Sequence, residues 1–227
     1  MAPYGSPNPV PADMTRNRKR GKTGQWAARH NRDPFVQRAR QAGFRARAVF
    51  KLEHIDRKYR LLKPASVVVD LGAAPGSWSQ YAAARIGGGG GGRIIAVDRR
   101  AMRAIEKVNF IRGDFTNESV VAQIATALEG RLADLVLSDM IPDISGIRIC
   151  DQARAETLQY AVLEFCRGAL KPGGQLLTKL FAGEAAQAIR GRLDGCFEQV
   201  RTIKPDASRS QSREIYCLAR GYAGDMN

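Results

Sequence analysis

An α/β fold, built on a seven-stranded, mostly parallel sheet with helices on both faces, is what this sequence predicts. Three observations carry that prediction. From residue 64 onward, short apolar β-branched runs alternate with helical segments, the pattern of repeated βα units. One stretch, Val67 to Ser79 (V-V-V-D-L-G-A-A-P-G-S-W-S), passes from a buried-strand composition through a glycine turn into a helix start. Open α/β domains present a cofactor at such a turn. The last two runs are joined only by Pro205 to Arg213, a connection short enough for an antiparallel hairpin at one end of the sheet.

The elements follow in order. Residues 1–15 are Pro-rich and poor in apolar side chains, and residues 16–33 are cationic with one tryptophan. Together they read as a disordered basic N-terminal arm, 1–33. Its prolines argue against the amphipathic helix of an organellar transit peptide. From Pro34 to Leu62 the pattern turns helical, with Phe44, Ala48, Leu52, Ile55 and Tyr59 on one face. Lys51 falls about 20° from Phe44 on that wheel, at the edge of the buried stripe. It either snorkels off the core or is aimed at a neighbouring site. Strands are expected at 67–71, 93–98, 109–112, 133–138, 174–181, 197–204 and 214–220. Helices are clearest at 78–86, 117–129, 151–170 and 184–193. The expected organisation is one domain over 34–227, with a basic helical extension at 34–63 and a core at 64–227. Seven strands ending in a hairpin are the shape of Rossmann-like methyltransferases. Six glycines, Gly87 to Gly92, lack a following Lys-Ser/Thr and precede a strand, so they read as a flexible surface connection rather than a phosphate loop.

Composition narrows the function. The net charge is +14, and residues 1–63 hold 16 Lys and Arg against 4 Asp and Glu. A nearly neutral body thus carries a strongly basic front end, the electrostatic footprint of nucleic-acid binding. No apolar run is long enough to cross a bilayer. The four cysteines are scattered without a C-x-x-C pair, which suggests reduced, buried thiols in a cytoplasmic protein. Two histidines, His30 and His54, leave little for metal or triad chemistry.

The turn after the first strand is G-x-x-x-G (Gly72 and Gly76), not the three-glycine form that lets a pyrophosphate approach. A cofactor without pyrophosphate, such as S-adenosylmethionine, fits that spacing. Asp98, Asp114 and Asp139 stand at successive strand ends. Each alone could be a cap or turn residue, but three in series are harder to explain so. Lys179 lies inside L-L-T-K-L-F, a run that otherwise reads as core. Burying an ammonium is costly unless it is paired or its pKa falls, and a desolvated lysine can serve as general base. Glu214 opens the final strand, where it could pair with a lysine.

The linked set Lys51, Asp139, Lys179, Glu214, with V-V-D-L-G-A-A-P-G-S-W-S-Q-Y, S-D-M-I-P-D-I-S-G, K-L-F-A-G-E and K-P-D-A-S-R-S-Q-S-R-E-I-Y, resembles the FtsJ/RrmJ (RlmE) family of RNA ribose 2′-O-methyltransferases. The resemblance runs from about Gln25 onward. It implies a Rossmann-like S-adenosyl-L-methionine-dependent methyltransferase acting on a uridine in the A-loop of large-subunit rRNA, in the assembling 50S subunit, as a monomer with no membrane partner. It further implies that Gly76 and Trp78 line the methionine end of the cofactor, that Asp98 holds the ribose or adenosine side and Asp114 the adenine, and that Asp139 sits near both cofactor amine and reaction centre. Lys179 would assist deprotonation of the 2′-hydroxyl, oriented by Lys51, Asp139 and Glu214; no metal is implied. Ser77 and Asp143 depart from the family's usual glycine and asparagine, and a carboxylate at 143 would oppose phosphate approach. The other readings are a tRNA or other RNA 2′-O-methyltransferase, or a non-catalytic RNA-binding ribosome-assembly factor.

Overall fold

The protein is described from a computed structural model covering residues 32–87, 90–143, 145–208 and 212–224. Nearly all of the expected arm lies outside those residues. The elements are α1 (Pro34–Gln41), α2 (Val49–Tyr59), β1 (Val67–Leu71), α3 (Ser77–Ile86), β2 (Arg93–Asp98), β3 (Val108–Arg112), α4 (Glu118–Leu128), β4 (Ala133–Ser138), α5 (Arg148–Ala169), β5 (Leu170–Phe181), α6 (Glu184–Cys196), β6 (Phe197–Ile203) and β7 (Glu214–Tyr222).

All thirteen belong to one architecture, a sheet of order β3-β2-β1-β4-β5-β7-β6. β1 pairs in parallel with β2 and β4, and β4 with β5, while β7 runs antiparallel between β5 and β6. Every residue of β1 is buried, as in a parallel strand covered on both faces, and all but Asp70 are apolar. Its side chains divide by alternation. Val67, Val69 and Leu71 join a core with Ile124 of α4, Val162 of α5 and Ile189 of α6. Val68 joins a second core with Leu52 and Ile55 of α2 and Ala82 of α3.

Three expectations shift. The helical stretch from Pro34 is two helices rather than one, because the chain breaks at Gly43, whose φ is +75°. Asp33 caps α1 by accepting from the Phe35 N–H at 3.0 Å, ahead of Pro34 in the first turn, a pairing that suits a helix start. Phe44 falls in the break and packs edge-on against Phe50, centroids 6.5 Å apart. The fifth strand begins at Leu170 rather than 174, with an irregular register between Ala133 and Leu135. Cys166 and Cys217 are buried, but Cys150 is exposed, against the expectation of four buried thiols. Among the described residues no helix is long and apolar enough to cross a membrane. The glycine connection sits at the amino end of β2, where the Gly91 carbonyl accepts from Arg131 at 2.8 Å.

Asp56 holds the basic extension to this body. It is 1% exposed, and its carboxylate accepts from the Leu62 N–H (2.9 Å), the Tyr81 hydroxyl (3.0 Å) and the Arg85 guanidinium (3.2 Å). Removing it leaves two buried donors, the Leu62 N–H and the Tyr81 hydroxyl, without their acceptor. Asp56→Ala is expected to lower unfolding free energy by about 3 kcal/mol, seen as a lower urea midpoint at unchanged denaturant slope. A shift under about 0.5 kcal/mol would show that the extension does not depend on it.

Candidate active site

The carboxyl ends of β1, β2, β4 and β5 surround a cavity of about 1010 Å³, the edge at which open α/β sheets bind ligands. The turn after β1 shapes it. The Gly72 and Ala73 N–H groups both donate to the Val97 carbonyl, at 2.8 and 3.1 Å, folding the chain back across β2. Gly72 has φ +76°, and a Cβ there would lie 2.2 Å from Met140 Cγ. Only glycine satisfies both demands. Gly76 has φ +105°, but a Cβ on it would meet Ile105, Arg45 and Met102. It therefore faces away from the cavity and is not among its lining residues. Its positive φ turns the chain into α3, for which it is the N-cap residue.

Trp78 does reach the cavity wall, yet its ring is 3% exposed. Its indole N–H donates to the Ala48 carbonyl at 2.8 Å, tying α2 to α3. Asp98 and Asp114 both line the cavity. The Asp98 carboxylate accepts from the Ala74 N–H (2.9 Å) and the Arg100 N–H (2.7 Å), so its position is set by backbone. The Asp114 carboxylate accepts from the Thr116 N–H and hydroxyl. The backbone bond outweighs partial burial and holds its carboxyl below the usual range.

A second group gathers at the ends of β4, β5 and β7. The Lys179 side chain is 2% exposed, and its ammonium donates to the Asp139 carbonyl (2.6 Å) and carboxylate (2.9 Å). Lys51 donates to Glu214 at 2.8 Å. Burial pushes the Glu214 carboxyl up, but the hydrogen bond and charge of Lys51, with Lys179 beyond, outweigh it and hold it low. Lys51 is thus aimed at the site and does not snorkel. The pairing register explains the convergence, since Lys179 stands opposite Tyr216 and Phe181 opposite Glu214.

Two residues at this site escaped the sequence reading. Tyr216 is fully buried; its hydroxyl donates to Asp139 at 2.5 Å, and the Lys51 ammonium lies 5.7 Å from its ring centroid. Burial and the Asp139 charge raise its pKa well above normal, so it stays a donor. Its signal was the period of two, which puts it on the same face as Glu214. Asp70, inside β1, lines the cavity and accepts from the Ser79 hydroxyl at 2.6 Å. Its signal was an acid flanked by Val69 and Leu71 in an otherwise apolar run. Asp143 meets Arg99 across the cavity mouth at 3.3 Å, which partly neutralises the carboxylate that departs from the family pattern.

Comparison with known proteins finds a matching family and named relatives. A family model for FtsJ-like methyltransferases matches residues 44–222. A protein of Azoarcus sp. (strain BH72) named ribosomal RNA large subunit methyltransferase E is 48% identical over 201 residues, covering 88% of this chain and 97% of its own. Its counterpart in Alkalilimnicola ehrlichii is 47% identical over 209 residues, covering 92% and 99%. Among solved structures, a ribosomal RNA methyltransferase from Plasmodium falciparum superposes with a TM-score of 0.72 at 28% identity, covering 80% of this chain and 100% of that one.

Asp70 makes stability depend on pH. Burial pushes its carboxyl up to about 7; the Ser79 hydrogen bond opposes this, and the charges of Asp139 and Asp98 add to it. In the unfolded chain the same group titrates near 3.9, so the folded state binds more protons between about pH 4 and pH 7. Stability from this group therefore falls as pH rises through that window. Asp70→Asn should lack the slope, gaining up to about 4 kcal/mol on the wild type between pH 4 and pH 8. Denaturant titrations of both proteins across that range measure it, and parallel curves would refute the raised pKa.

Proposed function

The chain belongs to the FtsJ-like methyltransferase family, and from that premise we propose that it transfers a methyl group from S-adenosyl-L-methionine to a ribose 2′-hydroxyl of large-subunit rRNA. The observation that carries the reading is Lys179, an ammonium buried at a strand end and held twice by Asp139 beside a cavity lined by acids and bases together. A structural strand gains nothing from such a residue, whereas a base near a reacting hydroxyl needs one.

The cavity's acids suit a cationic cofactor. Asp98 would hold the ribose hydroxyls, Asp114 the adenine amino group, and Asp139, with Asp70 behind it, the amino-acid end; the turn through Gly76 and the wall at Trp78 would shape that end. When bound, the cofactor supplies an electrophilic methyl on a sulfonium. Lys179, in its neutral form, would take the 2′-hydroxyl proton at Nζ, and the Asp139 carboxylate would stabilise the ammonium that results. Tyr216 and the Lys51–Glu214 pair would keep Asp139 and Lys179 in register. No covalent enzyme intermediate is needed, because the contribution is orientation and proton removal.

The rRNA substrate is supported by the names of the relatives and by the charge of residues 1–63, which would clamp the RNA backbone. The choice of a uridine in the A-loop, and of the assembling 50S subunit, rests on the family resemblance. We place the protein in the cytoplasm, as a monomer with no membrane partner; its free thiols suit a reducing compartment. A non-catalytic assembly factor of the same fold would have no use for the buried lysine.

Tritiated methyl transfer from S-adenosyl-L-methionine to undermethylated large subunits tests the reading. Lys179→Ala should reduce single-turnover transfer by about 10³-fold while cofactor affinity stays within about threefold. RNA binding without transfer by the wild type would sink the enzyme reading; a near-normal rate in the mutant would remove Lys179 as the base. A second outcome concerns binding alone: subunit affinity should fall with salt at a log–log slope of roughly −0.7 per phosphate neutralised, and truncation of residues 1–31 should flatten that slope.

A further inference from the structure

Beside the cofactor cavity lies a second one, of about 520 Å³, which none of the roles above uses. Met140, Pro142 and Lys179 line both cavities, so the two are neighbours across the loop that leaves β4, and they meet at the proposed base. Methyl transfer has one donor and one acceptor, and the acceptor oxygen must reach the same lysine. An acceptor nucleotide held at Lys179 therefore has the second cavity within reach.

The lining says which part of a nucleotide would enter. Its floor is apolar, with Leu180, Phe181, Ala186 and Ile189. Its rim is mostly acidic, with Asp151, Glu156 and Glu184, and its one arginine, Arg213, donates to the Ala182 carbonyl at 2.8 Å. A phosphodiester would meet net negative charge there. A neutral planar group with polar edges would not. The volume lies within the range of small-molecule pockets, roughly 300–1,000 Å³, enough for one nucleobase and too little for a duplex.

Resting on the reaction proposed above, we infer that this second cavity receives the nucleobase of the target nucleotide, turned out of its stack, while the ribose stays at Lys179. Enzymes that do chemistry on a nucleobase extrude it into such a pocket, and a ribose 2′-hydroxyl brought to Lys179 would carry its own base to the neighbouring cavity. The charge difference makes the division of labour physical: the basic extension would hold phosphates, and the acid-rimmed pocket would take only the base.

Two fillers on opposite walls test this, Ala155→Phe on α5 and Ala185→Trp on α6, neither being a residue of the catalytic group. With undermethylated large subunits, each should lose at least about 100-fold in single-turnover transfer while S-adenosyl-L-methionine affinity and thermal midpoint match the wild type. A photocrosslinking experiment on the unmodified protein, using rRNA transcribed with 4-thiouridine, runs beside it and does not depend on the variants folding. The expected crosslink joins the acceptor nucleotide to the peptide spanning residues 179–190. Wild-type rates in both fillers, or acceptor crosslinks confined to other peptides, would overturn the inference. If nuclease digests of the wild-type reaction contain no 2′-O-methylated nucleoside, the reaction reading fails instead, and the crosslink still decides whether a base enters the cavity.

Discussion

One buried ammonium sets the terms for the carboxyl edge of this sheet. Taking a lysine out of water costs several kcal/mol unless the geometry around it is good, and the Lys179 side chain is 2% exposed. Asp139 meets that cost with its carbonyl and its carboxylate together. The arrangement requires β4 and β5 to run side by side in one register, Ser138 opposite Thr178, which in turn depends on the fully buried Leu135, Leu137, Leu176 and Leu177. Tyr216 adds a third contact to Asp139 from β7, and that needs the antiparallel return of the last strand. The group around Asp139 and the core are one construction.

Charge is distributed unevenly along the chain. Asp70, Asp98, Asp114 and Asp139 line one cavity, interleaved with Arg99, Arg100, Arg154 and Lys179, while 16 of the 36 basic residues lie in the first 63 positions. The mixed charges of the cavity largely offset one another, so the larger pull on an RNA backbone would come from the basic first segment. The basic extension that would grip it is not loosely tethered. Arg45 donates to the carbonyls of Pro75, Arg103 and Ala104 at 2.8–3.0 Å, stitching the extension to both loops at the cavity entrance. The basic extension and the cavity therefore share a frame, although exposed charges more than about 10 Å apart feel each other little at physiological salt.

The sheet was largely legible because buried parallel strands write themselves as apolar runs; strand bounds fell within a residue or two except at Leu170, where Lys171-Pro172-Gly173-Gly174 hides a strand start behind turn chemistry. That Lys51, Asp139, Lys179 and Glu214 belong together was legible because a charge in an apolar setting has few bland explanations. What escaped needed three dimensions. The break between α1 and α2 spans residues 42–48 and includes a positive φ at Gly43, which the helical periodicity counted from Phe44 onward did not register. Gly76 and its neighbour Gly72 look alike in sequence, and only the direction of a missing Cβ separates the one that clears room for Met140 from the one that faces Arg45. Tyr216 reads as an ordinary core aromatic until its hydroxyl is seen on Asp139.

The group around Asp139 also behaves as a unit energetically. Lys51 and Lys179 carry two positive charges, Asp139 and Glu214 two negative ones, and the pairings at 2.8 and 2.9 Å leave the set close to neutral. Deleting any one member strands its partner's charge in a poorly solvated place, a cost that belongs to the partner as much as to the residue removed. Contacting residues in one network do not have additive effects, so losses from single substitutions here cannot be summed into a partition of catalysis. The sequence position of each residue points the same way: they come from α2, β4, β5 and β7, elements spread over more than 160 residues of separation, and the neutrality of the set exists only once all four elements are in place. The chemistry at this edge is therefore a property of the completed sheet, not of any motif within it.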